Sequence, residues 1–358
     1  MMRSRDRFLP VKISVPAKIM LVGEYAVMEG YHSLSLALDK KLEVTVVEST
    51  ENFSKITSSL WEFPFCFTEI SELKSYDNIL TQAVGQALKN INLPCFFNLS
   101  ITSNFSVSSG FGSSSALRLA VISALRSFFA KQELPQEKHW SLAEEAYLLQ
   151  KGYQGRASGY DVLTQKVGGI VSFKNPEKNW PGIWEKLDWN MSLLEKNLHI
   201  YTGGKGAPTK EAITKTDLWL VKNKLKEKFF QSSEKLYKSL CSFFTEANEG
   251  CYEKVIQGVA EHRKILLGSP DFPQHIETFL SKIPGFDQTW SYKTTGSGGE
   301  DALLFFGDDR ALVRVSEVMA KESWVKENWG LDCRGSRFYA NKEEEDYENK
   351  GVCSKSSQ

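Results

Sequence analysis

The chain has 358 residues, 41% of them hydrophobic, which is enough to bury a core and to form two domains. Its 44 lysine and arginine residues balance its 44 aspartate and glutamate residues, so the net charge gives no reason to expect binding to nucleic acid or to a membrane. The six cysteines form no CxxC pair, which argues against a zinc site, and no apolar run is long enough to span a membrane. We therefore expect a cytoplasmic protein with reduced thiols.

The first half of the chain is predicted to alternate strands with helices. Apolar, β-branched segments indicate strands, and the run Ser114–Phe129, which has neither glycine nor proline, indicates a buried helix. In chain order we predict strands at 11–15, 19–22 and 42–47, a helix at 78–88, a strand at 96–101, helices at 114–129 and 142–151, and a strand reached through Gly168-Gly169. These elements suggest a first domain over residues 1–185.

The second half is predicted to begin after a turn-rich segment, Asn175–Gly182. We predict a strand at 197–202, helices at 217–246, 251–267 and 275–283, a strand at 302–306, a helix at 309–321 and a last strand around 332–338. Residues 186–340 would form a second domain. Residues 341–358 are charged and serine-rich with few apolar side chains, so we expect a disordered tail.

The strongest chemical signal is a turn of glycine and serine, Ser108–Ser115, that leads directly into the buried helix. Glycines let backbone N–H groups approach a phosphate closely, and the N-terminus of a helix carries a partial positive charge. The serine hydroxyls could donate to phosphate oxygens or bind Mg²⁺. Neither GxGxxG nor GxxxxGK[ST] is present, which excludes the Rossmann and P-loop interpretations. A serine-capped flexible loop remains an alternative.

Four further segments accompany this turn: Pro16–Val27, Gly155–Val162, Thr202–Lys210 and Thr295–Ala302. Together with the turn they resemble the motifs of the GHMP kinase superfamily, over residues 11 to about 310. The resemblance implies an α+β fold of two lobes, with a ribosomal-S5-like N-terminal domain, a ferredoxin-like C-terminal domain and the active site between them. It also implies ATP and Mg²⁺ as cofactors and a small-molecule phosphoryl acceptor. We expect a monomer or a homodimer.

The resemblance also narrows the acceptor. The segment Gly23-Glu24-Tyr25-Ala26-Val27 and the pair Asp161-Val162 are similar to the versions found in phosphomevalonate kinases, which belong to the mevalonate-pathway branch. This similarity implies the ATP-dependent phosphorylation of mevalonate 5-phosphate to mevalonate 5-diphosphate, in isoprenoid precursor synthesis. Phosphorylation of mevalonate or another small alcohol is the alternative. A non-catalytic nucleotide-binding regulator is a third interpretation, which the retained motifs disfavour.

The resemblance gives individual residues a role. Lys18 would neutralise phosphate charge and Asp161 would accept the proton of the acceptor, whereas a strand-end lysine and a helix-capping aspartate are the ordinary alternatives. ATP would be bound by the turn residues Ser109, Gly110, Phe111, Gly112, Ser113, Ser114 and Ser115. The acceptor would be bound by Arg156, Ser158, Gly159, Lys205, Thr209, Gly296, Ser297 and Gly298.

Some positions depart from the family pattern. Mevalonate kinases have a magnesium-binding glutamate eleven residues before the aspartate, and this chain has Gln150 there. Ser114 is therefore the predicted metal ligand. Glu300 and Asp301 stand where glycine is common in the family, and their acidic side chains would repel a nucleotide phosphate unless they point away.

Overall fold

A computed structural model describes residues 8–59, 64–76, 78–131, 134–203, 209–246, 249–296, 299 and 301–339. Within these ranges the strands are β1 (Val11–Val22), β2 (Ser33–Glu48), β3 (Ser54–Ser58), β4 (Phe65–Phe67), β5 (Phe97–Ser103), β6 (Ile170–Lys174), β7 (Ile183–Leu187), β8 (Leu198–Thr202), β9 (Ser291–Thr294), β10 (Ala302–Phe306), β11 (Val325–Lys326) and β12 (Arg337–Tyr339). The α-helices are α1 (Ile79–Leu88), α2 (Ser113–Ala130), α3 (Gln136–Gln154), α4 (Tyr160–Val167), α5 (Met191–Asn197), α6 (Thr209–Lys222), α7 (Lys226–Glu246), α8 (Glu249–Leu266), α9 (Gln274–Leu280) and α10 (Asp309–Lys321). Short 3₁₀ helices cover Ala26–Glu29 and Ile70–Ser75.

The larger sheet carries most of the N-terminal half of the chain. Its strands follow the order β12-β1-β2-β5-β3-β4, while β6 pairs with β2 and β7 pairs with β6. Strand β1 is buried continuously from Ile13 to Val22, since helices α2, α4 and α7 all contact it. A strand buried in this way is expected to be almost wholly apolar. Lys18 is therefore an exception in β1 that needs a specific partner.

The smaller sheet follows the order β11-β8-β10-β9 and is antiparallel. Strands β8 and β10 are fully buried, and Phe305 of β10 stacks on both Trp290 and Tyr292. Tyr25 and Ala26, which follow β1 in the chain, belong to the hydrophobic core of this second sheet. The loop after β1 therefore joins the two lobes at the place where the candidate site lies.

The expected α+β fold class is confirmed, and most predicted elements are present. The predicted strands 11–15 and 19–22 are one continuous strand, β1, and its proline, Pro16, lies beside an irregularity in the pairing with β2, where a missing N–H is tolerated. The predicted helix 217–246 is instead two helices, because the chain turns between α6 and α7 with Lys224 at φ 57°. Of the segment predicted as strand 332–338, only Arg337 and Phe338 lie in a strand, β12, which pairs with β1.

The division at residue 185 stays a prediction, and the predicted tail, 341–358, lies outside the described residues. Strand β12, from the predicted second domain, nevertheless pairs with β1, with Lys12 opposite Tyr339. None of the helices in the described ranges combines the length and apolar character that crossing a bilayer requires.

Candidate active site

A cavity of about 430 Å³ lies where β1, the first turns of α2 and α4, and the segment between β9 and β10 meet. Apolar side chains such as Met20, Val27 and Met28 form part of its wall. The polar part of the wall comprises Lys18, Glu24, Ser108, Ser113, Ser114, Ser115, Gln150, Gln154, Arg156, Ser158, Tyr160, Asp161 and Asp301. An apolar wall with convergent polar groups is typical of a small-molecule site.

The glycine-serine turn forms one end of this cavity. Gly112 has φ 75° and is the N-cap of α2, a position where no side chain satisfies the first N–H groups of the helix. Its carbonyl oxygen accepts hydrogen bonds from Ser115 Oγ at 2.9 Å and Gln165 Nε2 at 3.0 Å. These bonds fix the carbonyl group of Gly112. The first turn of α2 faces the cavity, and the free N–H groups of that turn favour the binding of an anion.

Gly112 also lies so close to Lys18 that a side chain at this position would collide with the lysine. A Cβ atom built on Gly112 would lie 2.7 Å from Lys18 Cε and 2.9 Å from Lys18 Cγ. Carbon atoms do not approach so closely, and φ 75° is itself unfavourable for any side chain. The turn therefore holds the lysine in place as well as leaving room for a ligand.

Lys18 lies within β1, not immediately before a strand as the sequence suggested, and only 5% of its surface is exposed. Its Nζ donates to the carbonyl oxygen of Gly110 at 3.3 Å and lies 5.3 Å from the centre of the Tyr160 ring. Burial opposes its charge, but Tyr160, Asp161 and Asp301 act in the other direction, and the pKa of Lys18 is raised above its ordinary value. Lys18 is therefore a fixed cation at the cavity wall.

Asp161 was predicted on a loop but lies in the first turn of α4. Its Oδ1 accepts a hydrogen bond from the N–H of Val162 at 2.9 Å, and its Oδ2 accepts one from Gln150 Nε2 at 2.7 Å. A carboxylate oxygen has more than one lone pair, so Asp161 can still accept a proton or a hydrogen bond from a ligand. Gln150, eleven residues earlier, is a donor to Asp161 and adds no negative charge.

Ser114 does not have the surroundings of a metal ligand. Its Oγ accepts a hydrogen bond at 2.5 Å from Nη1 of Arg118, a fully buried residue one turn later in α2. A divalent cation on this oxygen would meet the positive guanidinium, and the neutral Gln150 replaces the carboxylate that would offset it. The described ranges contain no group of three or more His, Cys, Asp or Glu side chains suited to a metal ion. The charges around Ser114 thus disfavour a protein-bound Mg²⁺, and the metal role given to Ser114 stays a prediction.

A buried cluster of ionisable side chains, Glu24, Lys293 and His262, was missed by the sequence reasoning. Lys293 in β9 donates to Glu24 Oε1 and to the carbonyl oxygen of Thr294, at 2.7 Å for the latter. His262 Nε2 lies 4.0 Å from Glu24 Oε2, and Ser232 Oγ contacts His262 Nδ1 at 2.9 Å. Glu24 also lines the cavity. The partners are far apart in sequence, so only the fold brings them together.

The other predicted residues divide into three groups. Gly110, Ser113, Ser115, Arg156, Ser158 and Gly296 line the cavity. Three do not: Ser109 Oγ donates to the carbonyl oxygen of Ser106, Phe111 is buried in the core, and Gly159 is the N-cap of α4. Lys205, Ser297 and Gly298 lie outside the described residues, as does Glu300, and Thr209 is described only as the first residue of α6. The binding roles of all of them stay predictions.

The family model for the GHMP kinases N terminal domain matches residues 78–169. This chain carries a GHMP kinase N-terminal domain. The matched region includes the glycine-serine turn, α2, Gln150 and Asp161, so the resemblance seen in the sequence is confirmed.

Curated relatives resemble this chain over different lengths. It is 27% identical over 183 residues to the mevalonate kinase of Methanocaldococcus jannaschii, a match that covers 46% of this chain and 54% of the relative. It is 26% identical over 298 residues to the mevalonate kinase of Archaeoglobus fulgidus, covering 82% of this chain and 92% of the relative. The chain thus spans little more than half of the first of these two proteins.

Solved structures resemble this chain over most of its length. The Methanococcus jannaschii mevalonate kinase superposes with a TM-score of 0.70 at 21% identity, covering 90% of this chain and 98% of that one. A Streptococcus pneumoniae phosphomevalonate kinase, in complex with phosphomevalonate and AMPPNP, superposes with a TM-score of 0.68 at 16% identity, covering 90% and 99%. At these identities the likeness establishes the GHMP kinase fold and not a substrate.

Proposed function

We propose that this chain transfers the terminal phosphoryl group of ATP to a small-molecule acceptor of the mevalonate pathway. The observation that carries the proposal is that one cavity contains a buried cation, Lys18, a carboxylate, Asp161, and the uncapped N-terminus of α2. Phosphoryl transfer requires little else from a protein than positioning of the two partners and neutralisation of the charge on the moving group.

In this proposal the triphosphate lies at the glycine-serine turn, with its oxygens at the first N–H groups of α2 and the hydroxyls of Ser113 and Ser114. An oxygen of the acceptor attacks the γ-phosphorus, the bond from phosphorus to the β,γ-bridging oxygen breaks, and ADP leaves with that electron pair. Lys18 stabilises the charge that develops on the transferred group. Asp161 accepts the proton when the attacking oxygen belongs to a hydroxyl.

Mevalonate 5-phosphate is the first candidate acceptor. Tyr25 and Val162 match the phosphomevalonate-kinase versions of their motifs, and Arg156 brings a cationic side chain to the cavity wall. The Arg156 guanidinium is 3.6 Å from Asp217 Oδ2 and its side chain is 44% exposed, so it can exchange that weak surface partner for a phosphate or carboxylate of the acceptor.

Mevalonate is the second candidate, and two observations favour it. The relatives described above are named mevalonate kinases. In addition, Asp161 lies in the cavity wall, where it can act as a base for an alcohol acceptor. A phosphate acceptor does not need a base, since a phosphate monoester has a second pKa of about 6 and is largely dianionic at neutral pH.

The test is to measure ATP turnover with mevalonate and with mevalonate 5-phosphate side by side, and then to compare two variants. With an alcohol acceptor, Asp161→Asn should reduce kcat by about 10²- to 10⁴-fold. With a phosphate acceptor, Lys18→Met should reduce kcat more than Asp161→Asn, because charge neutralisation dominates and no base is needed. Asp309→Asn, at an exposed carboxylate in α10, is the control and should leave kcat unchanged. Absence of turnover with both acceptors would reject the proposed function.

A further inference from the structure

Arg118 is a buried cation in an otherwise apolar stretch of α2. It is fully buried, and its helix neighbours Leu117, Leu119 and Ala120 are buried apolar residues. Its Nε and Nη2 have no hydrogen-bond partner among the described residues. A buried guanidinium without full compensation is unfavourable, so its presence calls for an explanation beyond packing.

The surroundings of Arg118 point to the phosphate end of the cavity. Its Nη1 donates to Ser114 Oγ at 2.5 Å and approaches the carbonyl oxygen of Ser114 at 3.3 Å. Ser114 itself lines the cavity, so the positive charge lies directly behind a hydroxyl that faces the ligand. On the other side the guanidinium carbon lies 5.7 Å from the centre of the Tyr153 ring, a cation–π contact that helps to hold it.

The charges near Ser114 differ from those expected at a site that binds a metal ion. Asp161 is near enough for its negative charge to oppose the lowering of the Arg118 pKa by burial, and a guanidinium remains charged in proteins. The amide of Gln150 already donates to Asp161 and brings no charge of its own. Of the three carboxylates in the cavity wall, Glu24 is in contact with Lys293, while Asp161 acts on both Lys18 and Arg118 and Asp301 acts on Lys18.

We propose that the buried guanidinium of Arg118 takes the position of a protein-bound metal ion at this site, and that Ser114 and Asp161 do not bind Mg²⁺. The inference rests on the proposed function, because it concerns the binding of ATP. Arg118 does not touch the ligand and acts as a positioning residue, through the Ser114 hydroxyl and through its charge. The attraction of the protein for the nucleotide then depends little on a divalent cation.

The first experiment uses the unaltered protein. Isothermal titration calorimetry measures the Kd of AMPPNP, a non-hydrolysable analogue of ATP, once in Mg²⁺ and once in EDTA. We expect the two Kd values to differ by less than about threefold. A tenfold or larger loss of affinity in EDTA overturns the role of Arg118 but leaves the proposed function intact. Absence of binding in both buffers overturns the proposed function and this inference with it.

The second experiment changes the charge. Arg118→Met keeps the length and apolar stem of the side chain but removes the cation, and we expect its affinity for AMPPNP in EDTA to fall at least tenfold while Mg²⁺ restores part of it. Arg118→Lys keeps a positive charge and should retain the small difference between the two buffers. In the double variant Arg118→Met/Gln150→Glu the restored carboxylate should make Mg²⁺ dependence stronger still.

The matched control is Arg126→Met, two turns further along α2, where the arginine contacts Glu145 away from the cavity. It should behave like the unaltered protein in both buffers. Circular dichroism shows whether each variant is folded. A folded Arg118→Met protein whose ratio of the two Kd values equals that of the unaltered protein overturns the inference, and if Arg118→Met does not fold, the unaltered protein and Arg118→Lys decide.

Discussion

Two buried lysines, one in each sheet, differ in how the surrounding groups compensate their positive charge. Lys293 in β9 is 2% exposed and is in direct contact with a single carboxylate, that of Glu24. Lys18 in β1 is 5% exposed, but its ammonium group donates to a backbone carbonyl and the charges that favour it, those of Asp161 and Asp301, are spread around a cavity. The first lysine has its counter-ion already, whereas the second faces a space that an anion can enter.

This difference separates a structural charge from a functional one. An ion pair in contact compensates itself, and its removal leaves the partner buried and uncompensated. A cation whose favourable partners lie across a cavity retains the capacity to stabilise a ligand, and a fixed charge at low dielectric is worth more there than in water. The comparison therefore predicts that equivalent substitutions at the two lysines affect different measurements.

Lys293→Met should cause the larger loss of stability. The substitution leaves Glu24 buried without the cation that contacts it, and breaking a buried pair in this way costs about 3–5 kcal/mol. Urea unfolding monitored by tryptophan fluorescence gives the change in the free energy of unfolding. Restoring balance with the double variant Lys293→Met/Glu24→Gln should recover much of the loss, and a double variant no more stable than the single one would contradict the interpretation of a self-compensating pair.

Lys18→Met should reduce activity strongly and stability only slightly. No carboxylate in contact is stranded, so its midpoint of thermal unfolding should fall by less than that of Lys293→Met, while kcat falls by about 10²- to 10³-fold, the usual loss when a preorganised stabilising group is removed. Differential scanning fluorimetry and a coupled ADP assay measure the two effects. Equal stability losses at the two lysines would remove the distinction between them.

Gly112→Ala should weaken nucleotide binding through Lys18. The new Cβ would lie 2.7 Å from Lys18 Cε at a backbone φ of 75°, so the lysine must move and the turn is strained by about 1–2 kcal/mol. We expect about a tenfold increase in the Kd of AMPPNP, measured by calorimetry. Gly85→Ala, in α1 with no neighbour within 4 Å of the added atom, is the control and should be neutral or slightly stabilising. An unchanged Kd in a folded Gly112→Ala protein would show that the turn does not position the lysine.

The Lys293 region should also give the protein a weak sensitivity to acid. Burial and the neighbouring Lys293 hold the pKa of His262 well below its ordinary value, so the native protein keeps this side chain neutral while the unfolded chain takes up a proton below pH 6.5. The free energy of unfolding should then fall as the pH drops below 6.5, by at most about 1.4 kcal/mol per pH unit.

Urea unfolding at pH 7.5, 6.5 and 5.5 measures this effect. In His262→Asn, which keeps a polar group near Ser232, the acid-dependent loss should be smaller. His275→Asn, at an exposed position in α9, should retain the full loss. An identical pH dependence in the unaltered protein and in His262→Asn would assign the acid sensitivity to other groups.

Features fixed by nearby residues could be predicted from the sequence. The glycine-serine turn, the helix that follows it and the position of Asp161 form continuous motifs, and the turn and Asp161 do line one cavity. Helix 309–321 was predicted with its observed bounds because Asp308 caps it through the N–H of Ala311 and its apolar residues recur at helical spacing.

Features that depend on residues distant in the sequence could not be predicted. Glu24 follows β1 in a turn, where an acidic residue has many ordinary roles, and its partner Lys293 is 269 positions away. Arg118 lies inside the run predicted as a buried helix, and the sequence reasoning gave it no role. The signal was available, since a charged residue four positions after Ser114 lies on the same face of the helix, but its burial depends on how α2 packs against the rest of the lobe.

The pairing of β12 with β1 has a consequence for how the protein is made. Lys12 and Tyr339 are neighbours in the sheet although 327 positions separate them. During synthesis the backbone N–H and C=O groups along this edge of β1 have no strand beside them until the residues of β12 leave the ribosome. The strand that carries Lys18 is made long before β12, so the edge of β1 at Lys12–Ser14 gains its neighbouring strand late in synthesis.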